Sequence, residues 1–282
     1  MKRIRRNPMS KVTFQFSSLI VLFSMTMVCT SVFAVQIVGH RGASYDAPEN
    51  TLASVQLAWK QDADAAEVDV YLTKDRKIVV IHDETTKRTG GIELKVNETE
   101  ADILRRLDVG RYKDEKYTGE KIPFLKEIIE TIPPGKELFI EIKCKQEILP
   151  YLKKLIESCG KTSQIVIIAF ELDTITAAER MMPQIPTYWL KGTEKKEETD
   201  EYIAHSTDLI EVALAGRLDG LDVNYHGVTR EFAEAVKAAG LELHVWTVND
   251  LDIARRLVDF GVDGITTDRP GWLKRHLNQS GN

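Results

Sequence analysis

Cysteine is scarce in this 282-residue chain, which has three, and Cys29 lies in its first uncharged stretch. Only Cys144 and Cys159 follow, so no disulfide framework can hold the fold. They either form one bridge, tying a strand end to the next helix, or stay as two buried thiols. Positive charge is also short, with 38 Lys+Arg against 43 Asp+Glu. A chain without a basic excess is a poor nucleic-acid binder, and any anionic partner must be met by local cations or a metal. Internal repeats and low-complexity tracts are missing, which removes solenoids and disordered arrays.

Between Lys11 and His40 no acidic or basic side chain occurs. Before that run stand Lys2, Arg3, Arg5, Arg6 and Lys11, and within it Leu19–Phe23 is the most apolar part. Val32-Phe33-Ala34 then offers small residues where a signal peptidase reads. Basic, apolar, small is the order of a secretory signal, so 1–34 is expected to be removed after Ala34. A lipoprotein site at Cys29 does not fit, because Val28 precedes it. An uncleaved anchor is the alternative, since spanning takes about 20 apolar residues. Cleavage leaves 33 Lys+Arg against 43 Asp+Glu, a formal −10 over 35–282. The expected residence is periplasmic or extracellular, with no stable membrane span once the signal is cut.

From Val35 onward, short β-rich runs alternate with helical patterns. Strands are expected over 35–39, 65–71, 138–143, 165–169, 186–190, 219–223, 242–247 and 262–266. Helices are expected over 52–60, 125–131, 148–158, 174–182, 201–213, 229–239 and 250–260, with Gly240 and Gly261 as caps. Eight strands alternating with helices in about 250 residues predict an α/β fold, a TIM-type (β/α)8 barrel forming one domain over 35–282. A doubly wound sheet competes, but its usual six strands are too few. Ile78–Ile81 is an apolar run that extends the second strand as a hairpin and ends at His82. Residues 83–124 form the longest interruption, a small cap expected over the barrel mouth, with one capped helix from Thr99 to Leu107. Lys195–Glu201 is a charge run expected as a solvated loop or helix start.

Strand periodicity then aims the chemistry. Residues two apart share a face, so Glu67 and Asp69 point one way while Val68 and Val70 point the other. Glu141 and Lys143 repeat the device, with Ile140 and Ile142 opposite. Three carboxylates in one space repel unless a cation lies among them. Oxygen-only ligands favour a hard ion, Mg²⁺ or Ca²⁺. The alternative is a buried ion-pair network in which Arg41 and Lys143 neutralise the acids. His40 closes the first strand and His82 closes the hairpin run. Two imidazoles beside such a cluster can divide general acid and base duties near neutral pH.

Gly39-His40-Arg41-Gly42, Pro48-Glu49-Asn50-Thr51, Glu67-Val68-Asp69, His82-Asp83, Glu141-Ile142-Lys143, Val245-Trp246-Thr247-Val248-Asn249 and Thr267-Asp268-Arg269-Pro270 occur in that order. Over 35–270 this series resembles the glycerophosphodiester phosphodiesterase family. The resemblance implies a divalent metal and hydrolysis of a small glycerophosphodiester to glycerol 3-phosphate and an alcohol. It assigns catalysis to His40 and His82, metal binding to Glu67, Asp69 and Glu141, and phosphate binding to Arg41 and Lys143. It places Glu49 near metal and substrate, with direct ligation left open, and Trp246 at the site wall. It also implies attack by the glycerol 2-hydroxyl through a cyclic phosphate. His82 as acid and His40 as base is the expected order, which no motif separates from the reverse. The segment after His82 is shorter than in the family's long periplasmic members, which bears on substrate range.

Other residues carry less. His244 is expected to pack inside the barrel, and His205, His226 and His276 to lie on the surface or in loops. Asp268 could position a loop or touch ligand; Tyr188 and Trp189 could line a pocket or fill the core. Two rival functions remain: a lysophospholipase D or phospholipase cutting an acylated substrate, and a non-catalytic glycerophosphodiester-binding barrel. Charges across 83–124 favour soluble diesters over the first, and a complete set of site residues opposes the second.

Overall fold

The computed structural model describes residues 35–279, so the expected signal segment 1–34 lies outside the described residues. Among the described residues nine strands form one sheet: β1 Gln36–Gly39, β2 Ala65–Leu72, β3 Ile78–Val80, β4 Glu137–Ile142, β5 Ile165–Ala169, β6 Thr187–Lys191, β7 Gly220–Asn224, β8 Glu242–Trp246 and β9 Gly264–Thr267. Eight are parallel, and pairing of β1 with both β9 and β2 closes the barrel. β3 pairs antiparallel with β2 as the expected hairpin, Val70 opposite Val80.

Ten α-helices accompany them among the described residues: α1 Leu52–Lys60, α2 Lys87–Gly90, α3 Ala101–Leu104, α4 Leu125–Glu130, α5 Leu149–Cys159, α6 Leu172–Met181, α7 Asp208–Ala215, α8 Arg230–Ala238, α9 Leu251–Asp259 and α10 Pro270–Asn278. Local chemistry starts and stops them. Thr51 and Ser54 form a reciprocal capping box on α1. Asp250 accepts from the backbone N–H groups of Asp252 and Ile253 to open α9. Gly240 and Gly261 follow α8 and α9 with φ of 77° and 84°, as the cap expectation required.

Strand alternation makes two apolar layers. Outward residues such as Val68, Val70, Ile140, Leu221 and Val245 pack beneath the helices. Inward residues Val38, Ala65, Phe139, Val166, Ile168, Tyr188 and Leu190 plug the barrel. The plug fills the lower interior and leaves the upper rim to polar side chains. His244 belongs to this interior, 4.9 Å from the Tyr188 ring and 5.3 Å from Phe139, so packing is its role.

Several expectations need correction. The helix expected over 201–213 begins only at Asp208. The residues before it form an exposed loop in which Lys195 pairs with Asp200, and Lys196 with Glu201. The helix expected from Thr99 to Leu107 is one turn, Ala101–Leu104; the Thr99 hydroxyl donates back to the Lys95 carbonyl instead of capping it. α10 was not anticipated, although Pro270 at its start is a helix-opening signal. Cys144 and Cys159 are unpaired. Cys144 follows β4 at the upper rim, whereas α5 runs back down for about 16 Å at 1.5 Å per residue before reaching Cys159.

The 83–124 segment has its own small core, in which Val96, Ala101, Leu104, Val109 and Ile122 pack on Val79 and Ile81. It reaches the rim at one side: Lys113 donates to the Ser44 carbonyl, Tyr117 to the Asp46 carbonyl, and the Glu49 N–H to the Tyr112 hydroxyl. It therefore braces the β1–α1 loop.

Candidate active site

Every expected site residue lies at the upper rim. Glu67 and Asp69 face inward from β2, and Glu141 on β4 stands in register with Asp69. One oxygen from each of the three lies within 4.8 Å of the others. Glu67 is 3% exposed and Asp69 1%.

The turn after β1 delivers the first cation. Arg41 adopts a left-handed φ of 53° and Gly42 one of 83°. A Cβ at Gly42 would come within 2.5 Å of the Ser54 backbone, so this turn requires glycine. The Arg41 N–H donates to Glu67 Oε2 at 2.8 Å; its guanidinium donates to Glu49 Oε1 at 2.8 Å and lies 3.3 Å from Asp69 Oδ2. Lys143 donates to Glu141 at 2.7 Å and lies 3.7 Å from Asp69 Oδ1. Asn50, at φ 57°, holds Asp69 in a two-way clamp: its amide donates to Oδ2 and its carbonyl accepts the Asp69 N–H.

Arg41 and Lys143 do not balance the three acids. Glu67 Oε1 and Asp69 Oδ1 are buried without a hydrogen-bond partner. Burial, then Asp69 and Glu141, push the Glu67 carboxyl well above the usual carboxylate range. Burial and Asp69 push Glu141 up to about 7, against the pull of Lys143. An ion-pair network alone would leave these oxygens as uncompensated charge, which is costly in a buried site. A hard dication held by Glu67, Asp69 and Glu141 fits the donor set and would relieve the conflict.

The two histidines flank this cluster. His40 continues β1, whose Gly39 is in register with Thr267 of β9, so its side chain meets Asp268. His40 Nδ1 lies 2.7 Å from Asp268 Oδ1; Ser44 and Asn249 donate to the same carboxylate at 3.0 and 2.6 Å. Burial alone would raise Asp268, but these hydrogen bonds, led by His40, hold it at about 2. His82 is set beside β2 because the Ile81 N–H donates to the Asp69 carbonyl. His82 Nδ1 lies 2.7 Å from Asp83 Oδ1, and Asp83 accepts from Arg88 at 2.7 Å. In both rings a carboxylate takes Nδ1, which leaves Nε2 for chemistry. His82 Nε2 lies 3.3 Å from Lys143 Nζ. Burial, with smaller contributions from Arg41 and Lys143, shifts this imidazole down.

Glu49 stands outside the triad. Arg41 donates to it from one side and Arg88 from the other, the latter through two nitrogens at 2.6 and 2.9 Å. Trp246 meets Phe170 edge-on at 5.6 Å, and its indole N–H donates to the Asp222 carbonyl. His40, Arg41, Glu67, His82, Glu141, Lys143 and Trp246 all line a cavity of about 150 Å³. An adjoining outer groove of about 340 Å³ is lined by His40, Arg41, Ser44, Tyr45, Glu49, Lys113 and Asp268.

Asp83 stands in the His82-Asp83 motif but carried no expected role, and Arg88, Phe170 and Asp222 were not anticipated as site residues. Strand alternation around Leu221 and Val223 was a usable signal for Asp222; nothing local marked Phe170. Of the remaining candidates, His205 is half-buried and bonds the Asn224 carbonyl, His226 stacks on Tyr202 and Tyr225, and His276 lies on α10. Tyr188 fills the interior, whereas Trp189 points outward and donates to the Phe170 carbonyl.

A barrel rim with an acidic triad, two cations and two carboxylate-backed imidazoles is the equipment of a hydrolase for an anionic ester. Residues 40–272 match the model of the glycerophosphoryl diester phosphodiesterase family, and the chain belongs to that family as one of its enzymes. A glycerophosphodiester phosphodiesterase of Caldanaerobacter subterraneus subsp. tengcongensis is 32% identical over 251 residues, covering 87% of this chain and 98% of the relative. Another from Bacillus subtilis is 31% identical, covering 83% of each chain. A phosphodiesterase of Oleispira antarctica, solved in complex with the product sn-glycerol-3-phosphate, superposes with a TM-score of 0.79 at 27% identity, covering 87% of this chain and 98% of that one.

Proposed function

We propose that the enzyme hydrolyses glycerophosphodiesters to sn-glycerol 3-phosphate and an alcohol with one divalent ion, Mg²⁺ or Ca²⁺, held by Glu67, Asp69 and Glu141. The observation that carries this reading is the triad itself beside one cavity that Glu67, Glu141, His40 and His82 line together. When bound, the ion would offset negative charge developing on phosphoryl oxygens.

The chain's own residues do the rest. Arg41 and Lys143 meet the non-bridging oxygens, Arg41 with a planar fork and Lys143 as a point charge. One imidazole takes the proton of the glycerol 2-hydroxyl as its oxygen bonds phosphorus. The bond to the alcohol breaks, and the other imidazole gives that oxygen a proton. Water then opens the cyclic phosphate with the two roles exchanged. His40 borders both the cavity and the outer groove, whereas His82 does not line that groove. An alcohol leaving through the groove passes His40, which favours His40 as the acid and His82 as the base, the reverse of the sequence expectation. Asp268 and Asp83 hold the rings for these duties.

The groove is lined mainly by polar and charged side chains, which suits a small polar alcohol better than an acyl chain. Export after cleavage at Ala34 would place residues 35–282, acting as one unit, outside the cytoplasm. Among the described residues no helix is long and apolar enough to cross a membrane. The test is product analysis on a panel of choline, ethanolamine, glycerol and inositol glycerophosphodiesters beside matching lysophospholipids. Glycerol 3-phosphate from the diesters is expected. Release of lysophosphatidic acid from the lysolipids at equal or higher kcat/KM would replace this reading with the lipid-directed one.

A further inference from the structure

The cavity has two walls. β2 and β4 carry the acids and Lys143; β7 stands four strand positions from β2 in either direction round the barrel, and so directly across. Its inward residue is Asp222, since Leu221 and Val223 pack outward beneath the helices. Asp222 lines the same cavity and is 1% exposed, and its Oδ1 has no hydrogen-bond partner. The Trp246 indole beside it bonds the backbone carbonyl and leaves the carboxyl unserved. Its lateral neighbours in the sheet are Leu190 and His244. Burial pushes this carboxyl up to about 7, against a smaller pull from His244. A buried carboxyl without a partner costs stability, and an aliphatic residue would pack here without that cost. The position is therefore one where a ligand completes the bonding.

We propose that Asp222 receives the terminal hydroxyl of the substrate's glycerol group, across the cavity from the phosphate held by Arg41 and Lys143. This rests on the reading of the enzyme as a glycerophosphodiesterase and adds its basis for choosing a free glycerol end. An acylated terminal oxygen has no proton to donate to the carboxylate. The floor beside Asp222, formed by Ile168, Leu190 and Thr266, leaves little of the 150 Å³ for a chain.

Inhibition of the metal-supplemented enzyme by three probes tests this: sn-glycerol 3-phosphate, propane-1,2-diol 1-phosphate, which lacks the terminal hydroxyl, and inorganic phosphate. The parent should prefer glycerol 3-phosphate over the diol phosphate by about tenfold, the worth of a hydrogen bond to a buried carboxyl. Asp222→Leu should erase that preference, leave inorganic phosphate inhibition unchanged, and melt at or above the parent temperature. Asp222→Asn should keep the preference to within about threefold, because the amide still bonds a hydroxyl. If the leucine variant does not fold, Asp222→Ser carries the same comparison, its side chain being too short to reach. A parent without the preference, or a leucine or serine variant that retains it, overturns the proposal while the phosphodiesterase reading stands. A parent that releases no glycerol 3-phosphate from any diester sinks both.

Discussion

Glu141→Gln should make the metal-free protein more stable while taking away its response to metal. In the folded chain the Glu141 carboxyl is raised from 4.5 to about 7 by burial and by Asp69. For an acid raised by folding, the cost is nil below the ordinary value, grows as pH climbs towards 7 and is constant above. At pH 8 the full rise corresponds to at most about 3 kcal/mol. Glutamine keeps an acceptor for Lys143 but gives up the charge assistance in that 2.7 Å bond, worth about 1 kcal/mol. The net gain is about 1–2 kcal/mol, or roughly 3–6 °C in Tm for a chain of this size. Scanning calorimetry at pH 8 in chelator should show it, and the gain should vanish at pH 4. Adding Mg²⁺ or Ca²⁺ at about 100 times Kd should raise the parent by about 2.7 kcal/mol and the variant by much less. A variant that melts below the parent in chelator, or gains as much from the ion, refutes the reasoning.

His40→Ala and His82→Ala should each lower turnover by at least a thousandfold without changing the far-ultraviolet spectrum; activity within tenfold of the parent in either rejects the two-histidine scheme. Asp268→Asn should lower kcat by about 10–100-fold through loss of the bond behind His40. The same carboxylate, held at about 2, contributes stability that is complete above its ordinary 3.8 and is lost as pH falls through 2. The parent should therefore lose stability over that interval and the asparagine variant much less, which acid titration of the melting temperature would show. With Cys144 and Cys159 unpaired, reductant should leave the Tm unchanged, and thiol counting on the unfolded protein processed at Ala34 should find two; one disulfide by mass would contradict the packing. Burial pushes the Cys144 thiol up to about 11, so it should react slowly in the native state.

Most of the barrel could be read from sequence because period-two alternation in β2 and β4 is a local signal with one physical meaning. Glu67, Asp69 and Glu141 could be aimed from that signal alone, and His40 and His82 were placed by closing the apolar runs of β1 and β3. Glu49 was legible as a rim residue, but its partner Arg88 sits 39 residues away on a short helix without periodicity. The link between His40 and Asp268 spans the whole barrel, 228 residues, and exists only once β1 and β9 pair. The α7 start was misplaced because Glu201–Thr207 has helix-compatible composition, while cross-loop ion pairs and the turn ahead of Asp208 decide its course. Asp222 could be aimed inward by alternation with Leu221 and Val223, but its use could not be read. One acid in an apolar strand carries no motif, and its meaning comes from standing opposite the triad with nothing to bond.

Titrating the chelated enzyme with Ca²⁺ or Mg²⁺ while following glycerol 3-phosphate release tests the dication beside the imidazoles most directly. Release should start from near zero and saturate at one ion per chain, and Glu67→Gln should stay inactive throughout. Full release before any ion is added, or an unchanged titration in Glu67→Gln, would contradict it.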